Sequence, residues 1–159
     1  GSISRKTKKS ELQNIIYAWR SGGLKTEIYG NIEQLIWEKL LCNVTLSGPC
    51  SIFGCNVKEL YNDEEKWEFA LNCMQEAYSV GLARGIPFSF KDPTDYVIDF
   101  AKRVGSAKPS MLQDYETKKK TEIDFINGAI PPLAVEFQIP TPFNDKVCKI
   151  IHDAEKRFK

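Results

Sequence analysis

Histidine is almost missing from this sequence: His152 is the only one among 159 residues. A histidine metal cluster is thereby excluded, and a Ser-His-Asp triad has a single candidate base. That base lies in "KVCKIIHDAEKRF", a charged helical pattern where a surface position is the simpler reading. No two cysteines have the CxxC spacing, and the five present (Cys42, Cys50, Cys55, Cys73 and Cys148) are an odd number. Reduced thiols of a cytosolic, cytoplasmic protein fit this better than a disulfide framework or a zinc site. Net charge is nearly absent, with 22 Lys+Arg against 21 Asp+Glu, so no global field favours nucleic acid or an anionic membrane. No apolar run reaches the ~18 residues that span a bilayer, and no signal peptide is legible. Also missing are internal repeats, low-complexity tracts and any G-x-G-x-x-G after a strand pattern, so no dinucleotide site of that kind is encoded. There is no initiating methionine either: Gly1-Ser2 reads as a protease scar, and the chain as a piece of something longer.

What is present is apolar material, 42% of the residues, enough for one core of ordinary size. Prolines and glycines mark the joints, and helical spacing dominates between them. Ser10 is expected to cap a first helix to about Arg20, stopped by Ser21-Gly22-Gly23. "KTEIY" (25–29) alternates and reads as a short strand without a partner. A long helix is expected from Asn31 to about Ser47, where Gly48-Pro49 ends it, with a short turn through Phe53. Asp63 caps the next helix, and Asp92 with Pro93 opens another. Helices near 110–119, 121–138 and 142–158 complete an all-α bundle of six or seven helices. Residues 1–30 are expected to be the scar and the tail of a sheet domain cut away from this piece, and 31–159 the helical domain.

Within "NIEQLIWEKLLCNVTLSG", a plot at ~100° per residue puts Gln34, Glu38 and Thr45 on a strip expected to face solvent. Lys39, Asn43 and Ser47 fall opposite, among Ile32, Leu35, Ile36, Leu40 and Leu46. Their i, i+4, i+8 spacing makes a polar line about 12 Å long on the face expected to be buried. Burying such groups without partners costs several kcal/mol for a lysine and roughly 1–3 kcal/mol for an amide. The line therefore meets either acidic side chains within a core or an anionic, hydroxylated ligand in a cleft. The segment "PSMLQDYETKKKTEIDFINGA" (109–129) offers two capping boxes, Ser110 with Gln113 and Thr121 with Asp124, with Glu122 in a first turn. Capping accounts for Ser110 and Glu122 without a ligand, yet a serine at a helix start also presents donors to a carboxylate.

"WEKLLCN" (37–43), "PSMLQDYETKKKTEIDFINGAI" (109–130) and "PTPFND" (140–145) together resemble the C-terminal helical domain of ketopantoate reductase (2-dehydropantoate 2-reductase). "AWRSGGLKTEIYGNIEQLIWEKL" is similar to that family's passage from its nucleotide-binding domain into the interdomain helix. The resemblance implies a fold like the 6-phosphogluconate dehydrogenase C-terminal domain. It implies NADPH bound by an N-terminal Rossmann domain and absent from this piece, a 2-oxo acid substrate, and a homodimer as a further partner. It implies reduction of ketopantoate to pantoate on the way to pantothenate and coenzyme A, with no turnover expected of this piece by itself. Carried across by motif, Lys39 is the general acid, Asn43 and Ser47 contact substrate, Ser110 holds its carboxylate, and Glu122 binds its hydroxyl and orients the lysine. Ser47 stands where the family commonly has a second asparagine. The same fold acting on another branched 2-oxo acid, or a helical dimerisation module with its polar line internally satisfied, are the other readings.

Overall fold

The computed structural model describes residues 7–158; Gly1 and Ser2 lie outside them. The described chain is all helical: α1 (Lys9–Ser21), α2 (Ile32–Phe53), α3 (Val57–Asn62), α4 (Glu64–Ala83), α5 (Pro93–Val104), α6 (Ser110–Glu116), α7 (Ile130–Ala134) and α8 (Pro142–Glu155). Three 3-10 turns, Ile123–Phe125, Asn127–Ala129 and Val135–Phe137, punctuate the stretch between α6 and α8. The expected all-α fold is found, with eight helices: α3 joins the seven expected, and α7 is what forms of the helix expected over 121–138. The expected strand at 25–29 does not form. An extended segment needs a neighbouring strand for its backbone groups; here the Arg20 guanidinium instead donates to the Thr26 carbonyl at 2.9 and 2.6 Å.

α2 is the axis of the fold. Helices α3, α4, α5, α6 and α8 all pack on it, which leaves it no solvent face along most of its length. From Leu41 to Ser51 it is buried nearly all round, so the division into a dry and a wet side is wrong for this helix. Glu38 is only 7% exposed and Thr45 fully buried, whereas Lys39, placed on the buried face by the plot, is exposed. Glu38 and Thr45 are both satisfied by hydrogen bonds. The Glu38 carboxylate accepts from the Ser89 backbone N–H at 2.7 Å and from the Gln34 amide at 3.0 Å, and Thr45 Oγ1 donates to the Leu41 carbonyl at 2.6 Å.

Gly48-Pro49 does not end α2 as expected; the helix runs through it to Phe53 and stops at Gly54, which takes the left-handed conformation (φ 61°). A proline inside a helix forfeits one hydrogen bond and strains the preceding turn. Here α2 is packed against several helices, and it continues through the proline instead of breaking. The first helix is capped differently too: Lys8, not Ser10, is its N-cap, with the Glu11 carboxylate accepting from the Lys8 N–H at 2.9 Å. The continuous helix expected over 121–138 is instead a string of short turns. Pro131 and Pro132 supply no N–H donors, and Ile126 leaves helical dihedrals with ψ −95°.

α1 contributes no buried residue, and Tyr17 and Trp19 are 76% and 54% exposed. The core begins at Trp37 and is shared by α2, α4, α5, α7 and α8.

Candidate functional site

Four elements meet at a cleft of about 180 Å³ beside the middle of α2. α2 lends Asn43, Leu46 and Ser47, the first turn of α3 lends Val57, α5 lends Phe100 and Val104, and α6 opens the far wall with Ser110. Asn43 and Ser47 are one turn apart on α2, hence on one side of it. The far wall is fixed by the backbone of the α5–α6 connection: the Val57 N–H donates to the Ala107 carbonyl at 3.3 Å, and the Gln113 amide donates to the Lys108 carbonyl at 3.0 Å.

That second bond corrects the capping expectation. Gln113 turns back to Lys108, Pro109 is the N-cap, and no side chain caps α6. The Ser110 hydroxyl is exposed and makes no hydrogen bond among the described residues. The same holds for the Asn43 amide, half-buried, and for the Ser47 hydroxyl, in a residue 7% exposed. Three polar side chains thus converge on one cleft with their donors and acceptors unspent, and the rest of the wall is mostly apolar. Unspent polar groups in a concave, largely dry setting are what a small polar ligand with an apolar part needs.

Lys39 lies one turn before Asn43 on α2, about 6 Å along the axis. It is exposed, carries no ion pair among the described residues, and is outside the cleft lining. Glu122 is likewise exposed and outside the lining. It precedes the 3-10 turn Ile123–Phe125 and does not cap it with its side chain. The expected Thr121–Asp124 capping box is absent. Thr121 instead donates to Glu155 Oε1 from both its N–H (2.8 Å) and its hydroxyl (2.7 Å), and Asp124 pairs with His152 Nε2 at 2.7 Å. α8 therefore holds the chain on both sides of Glu122, through the Thr121 backbone and the Asp124 side chain. The structure brings Asn43, Ser47 and Ser110 together, and leaves Lys39 and Glu122 outside the lining of that cleft.

Val57, Phe100 and Val104 escaped sequence reading. Phe100 and Val104 do show the i, i+4 spacing of a shared helix side, but nothing local says which cavity that side meets. Cys42, next to Asn43, is no nucleophile: burial pushes its thiol up to about 12, against a smaller opposing pull from the Arg103 charge. Among the described residues no His, Cys, Asp or Glu group is arranged to hold a metal ion, and no helix is long and apolar enough to cross a membrane.

The chain matches the family described as ketopantoate reductase PanE/ApbA C terminal over residues 31–155. It is 32% identical over 126 residues to the 2-dehydropantoate 2-reductase of Streptococcus pyogenes serotype M6, covering 79% of this chain and 41% of that one. It is 31% identical over 147 residues to the 2-dehydropantoate 2-reductase of Archaeoglobus fulgidus, covering 91% and 48%. The chain thus spans less than half the length of these curated relatives. A D-mandelate dehydrogenase solved with NADH and anilino(oxo)acetate shares its fold, with a TM-score of 0.84 at 24% identity over 96% of this chain and 50% of that one. On the match that takes in most of its length, the chain belongs to the ketopantoate reductase family, as a C-terminal domain of it.

Proposed function

We propose that this chain is the substrate-binding domain of a reductase that converts 2-dehydropantoate (ketopantoate) to pantoate with NADPH. The observation that carries the reading is the convergence of Asn43, Ser47 and Ser110, from two distant parts of the sequence, on one cleft with unspent hydrogen-bonding groups. A 2-oxo acid offers complementary chemistry: a carboxylate and a carbonyl that accept, beside an apolar branched carbon.

In this reading the Ser110 hydroxyl donates to the substrate carboxylate and the Asn43 amide holds the oxo group in line. Ser47, with one donor in place of an amide's two, steadies the remaining polar atom. Lys39 holds a proton on Nζ and delivers it to the oxygen at C2 as negative charge develops there, which both neutralises and orients the product alkoxide. Glu122 receives the hydroxyl at the far end of the substrate and aligns Lys39. Both reach the substrate when a second domain closes the open side of the cleft. A bound nicotinamide would supply a hydride to C2. An N-terminal Rossmann domain would hold the cofactor's pyrophosphate. By itself the chain turns nothing over.

NADPH oxidation by the full-length protein tests this, with 2-dehydropantoate offered beside other branched and unbranched 2-oxo acids. Preferred turnover of 2-dehydropantoate is expected. Absence of turnover with every 2-oxo acid, in a protein that binds NADPH, overturns the reading.

A further inference from the structure

We infer that Phe100 and Val104 are specificity-determining residues that set the bulk admitted at C3 of the 2-oxo acid. This rests on the functional reading above and deepens it. The cleft is divided by chemistry. Asn43, Ser47 and Ser110 supply its polar groups, while Phe100 and Val104 of α5 face Leu46 and Val57 to form an apolar wall, and no charged side chain lines it. Carboxylate and oxo groups belong with the polar set, because an apolar wall would strip their water without replacing it. What remains of the substrate is the apolar part of its C3 substituent, whose terminal hydroxyl meets Glu122, and the apolar wall is left to receive it.

The wall is rigid enough to discriminate. Asp92 caps α5 through the N–H groups of Thr94 and Asp95 at 2.7 and 3.1 Å, and Val97 and Ala101 anchor the helix in the core. The Phe100 ring packs on both core clusters and lies under the Arg103 guanidinium at 5.8 Å, so it has little room to swing aside. Val104 is the last residue of α5, half-buried, four residues on from Phe100 and on the same side of the helix. A pocket of this kind separates substrates differing by about one methylene by roughly 10–200-fold.

The test uses the full-length enzyme and the ratio of kcat/KM for phenylglyoxylate to that for 2-dehydropantoate. Val104→Ala widens the wall and is expected to raise the ratio at least ~10-fold, and Val104→Phe narrows it and is expected to lower the ratio by a similar factor. A residue with only a structural role would depress both substrates together and leave the ratio alone. Phe100→Leu is the second variant should the bulkier Val104 side chain prevent folding, and it moves the ratio in the same direction as Val104→Ala. Ratios within ~3-fold of the parent in all folded variants, from an enzyme that does reduce 2-oxo acids, overturn this inference while the functional reading stands. A parent that reduces no 2-oxo acid overturns both.

Discussion

Asn144 of α8 closes on the Glu76 carboxylate of α4 with two groups at once: its backbone N–H reaches Oε2 at 3.0 Å and its side-chain amide reaches the same oxygen at 2.6 Å. The Phe143 N–H takes Oε1 at 2.8 Å. α8 thus receives its N-terminal cap from another helix. Thr141, in the N-cap position, makes no capping bond and donates instead to Asp145 at 3.1 Å. The same Asn144 donates to the Cys73 carbonyl and accepts from Asn127, whose amide also reaches the Val44 carbonyl of α2. One buried polar ladder therefore ties α2, α4 and α8 together, and the "TPFN" and "NGA" motifs are its rungs.

Glu76→Ala is expected to cost about 1–2 kcal/mol in urea unfolding, because it leaves the first turn of α8 uncapped and three donors seeking water. The pH dependence has an unusual sign. Burial raises the Glu76 pKa above its ordinary 4.5, outweighing the three hydrogen bonds that lower it. The folded state therefore binds this proton more tightly than the unfolded chain. As pH rises from about 4.5 through the raised folded value, Glu76 ionises at a cost in the folded state and its contribution to stability falls, then levels off. Unfolding free energies of the parent and of Glu76→Gln, measured across that window, should diverge in this direction; parallel curves would show that the hydrogen bonds outweigh burial.

All five cysteines are buried and free. Burial drives the Cys148 thiol up to about 11 and Cys42 to about 12, and shifts Cys50, Cys55 and Cys73 upward as well. With so little thiolate and no access, a disulfide reagent at mildly alkaline pH should react on the order of 10²-fold more slowly with the folded protein than with the unfolded chain. Five equivalents of thiol are expected after denaturation. Rapid release of even one from the native protein would show that a helix over that cysteine opens readily.

Sequence reading recovered what depends on local chemistry and missed what depends on the neighbours. Asp63 and Asp92 cap α4 and α5 as expected, because capping is settled within four residues. Ser110 and Thr121 fit the same pattern and do not cap, since the Gln113 amide turns back to the Lys108 carbonyl and Glu155 accepts from both the Thr121 N–H and its hydroxyl. The two faces of α2 were misassigned because an amphipathic stripe exists only where one side is wet, and α2 is wrapped by five helices. The polar trio Asn43, Ser47 and Ser110 was legible as a set of residue types. The apolar wall from α5 was not, as its place is set by the turn between α5 and α6 rather than by its own periodicity.

Gly48 shows how little slack the polar ladder has. A Cβ there would collide with Asn127 Oδ1 and sit 2.6 Å from Val147 Cγ1, and Asn127 Oδ1 is a buried acceptor with no partner among the described residues. Gly48→Ala should gain up to ~1 kcal/mol of helix propensity and lose about 1–3 kcal/mol to overpacking, a net destabilisation. Chemical denaturation reads this directly. A more stable Gly48→Ala protein would mean that Asn127 can withdraw from α2 at no cost, and the ladder would be a weaker tie than its geometry indicates.

The catalytic assignments separate by which kinetic constant moves. Lys39 lies outside the cleft lining and acts, in the proposed reaction, only as charge develops on the C2 oxygen. Lys39→Ala in the full-length enzyme should therefore lower kcat at least ~10²-fold with a small change in KM. Asn43 and Ser110 line the cleft and hold the ground state as well, so Asn43→Ala should raise KM roughly 10-fold, the worth of one neutral hydrogen bond of about 1–1.5 kcal/mol, and Ser110→Ala, whose hydroxyl meets a carboxylate, by at least ~10-fold. Steady-state kinetics of the three variants distinguish the roles without a structure of the complex. Near-normal kcat for Lys39→Ala would sink the general-acid role and shift attention to the cleft residues. Unchanged KM in both cleft variants would mean that the substrate's polar groups are held by the other domain, with this cleft receiving only the apolar end.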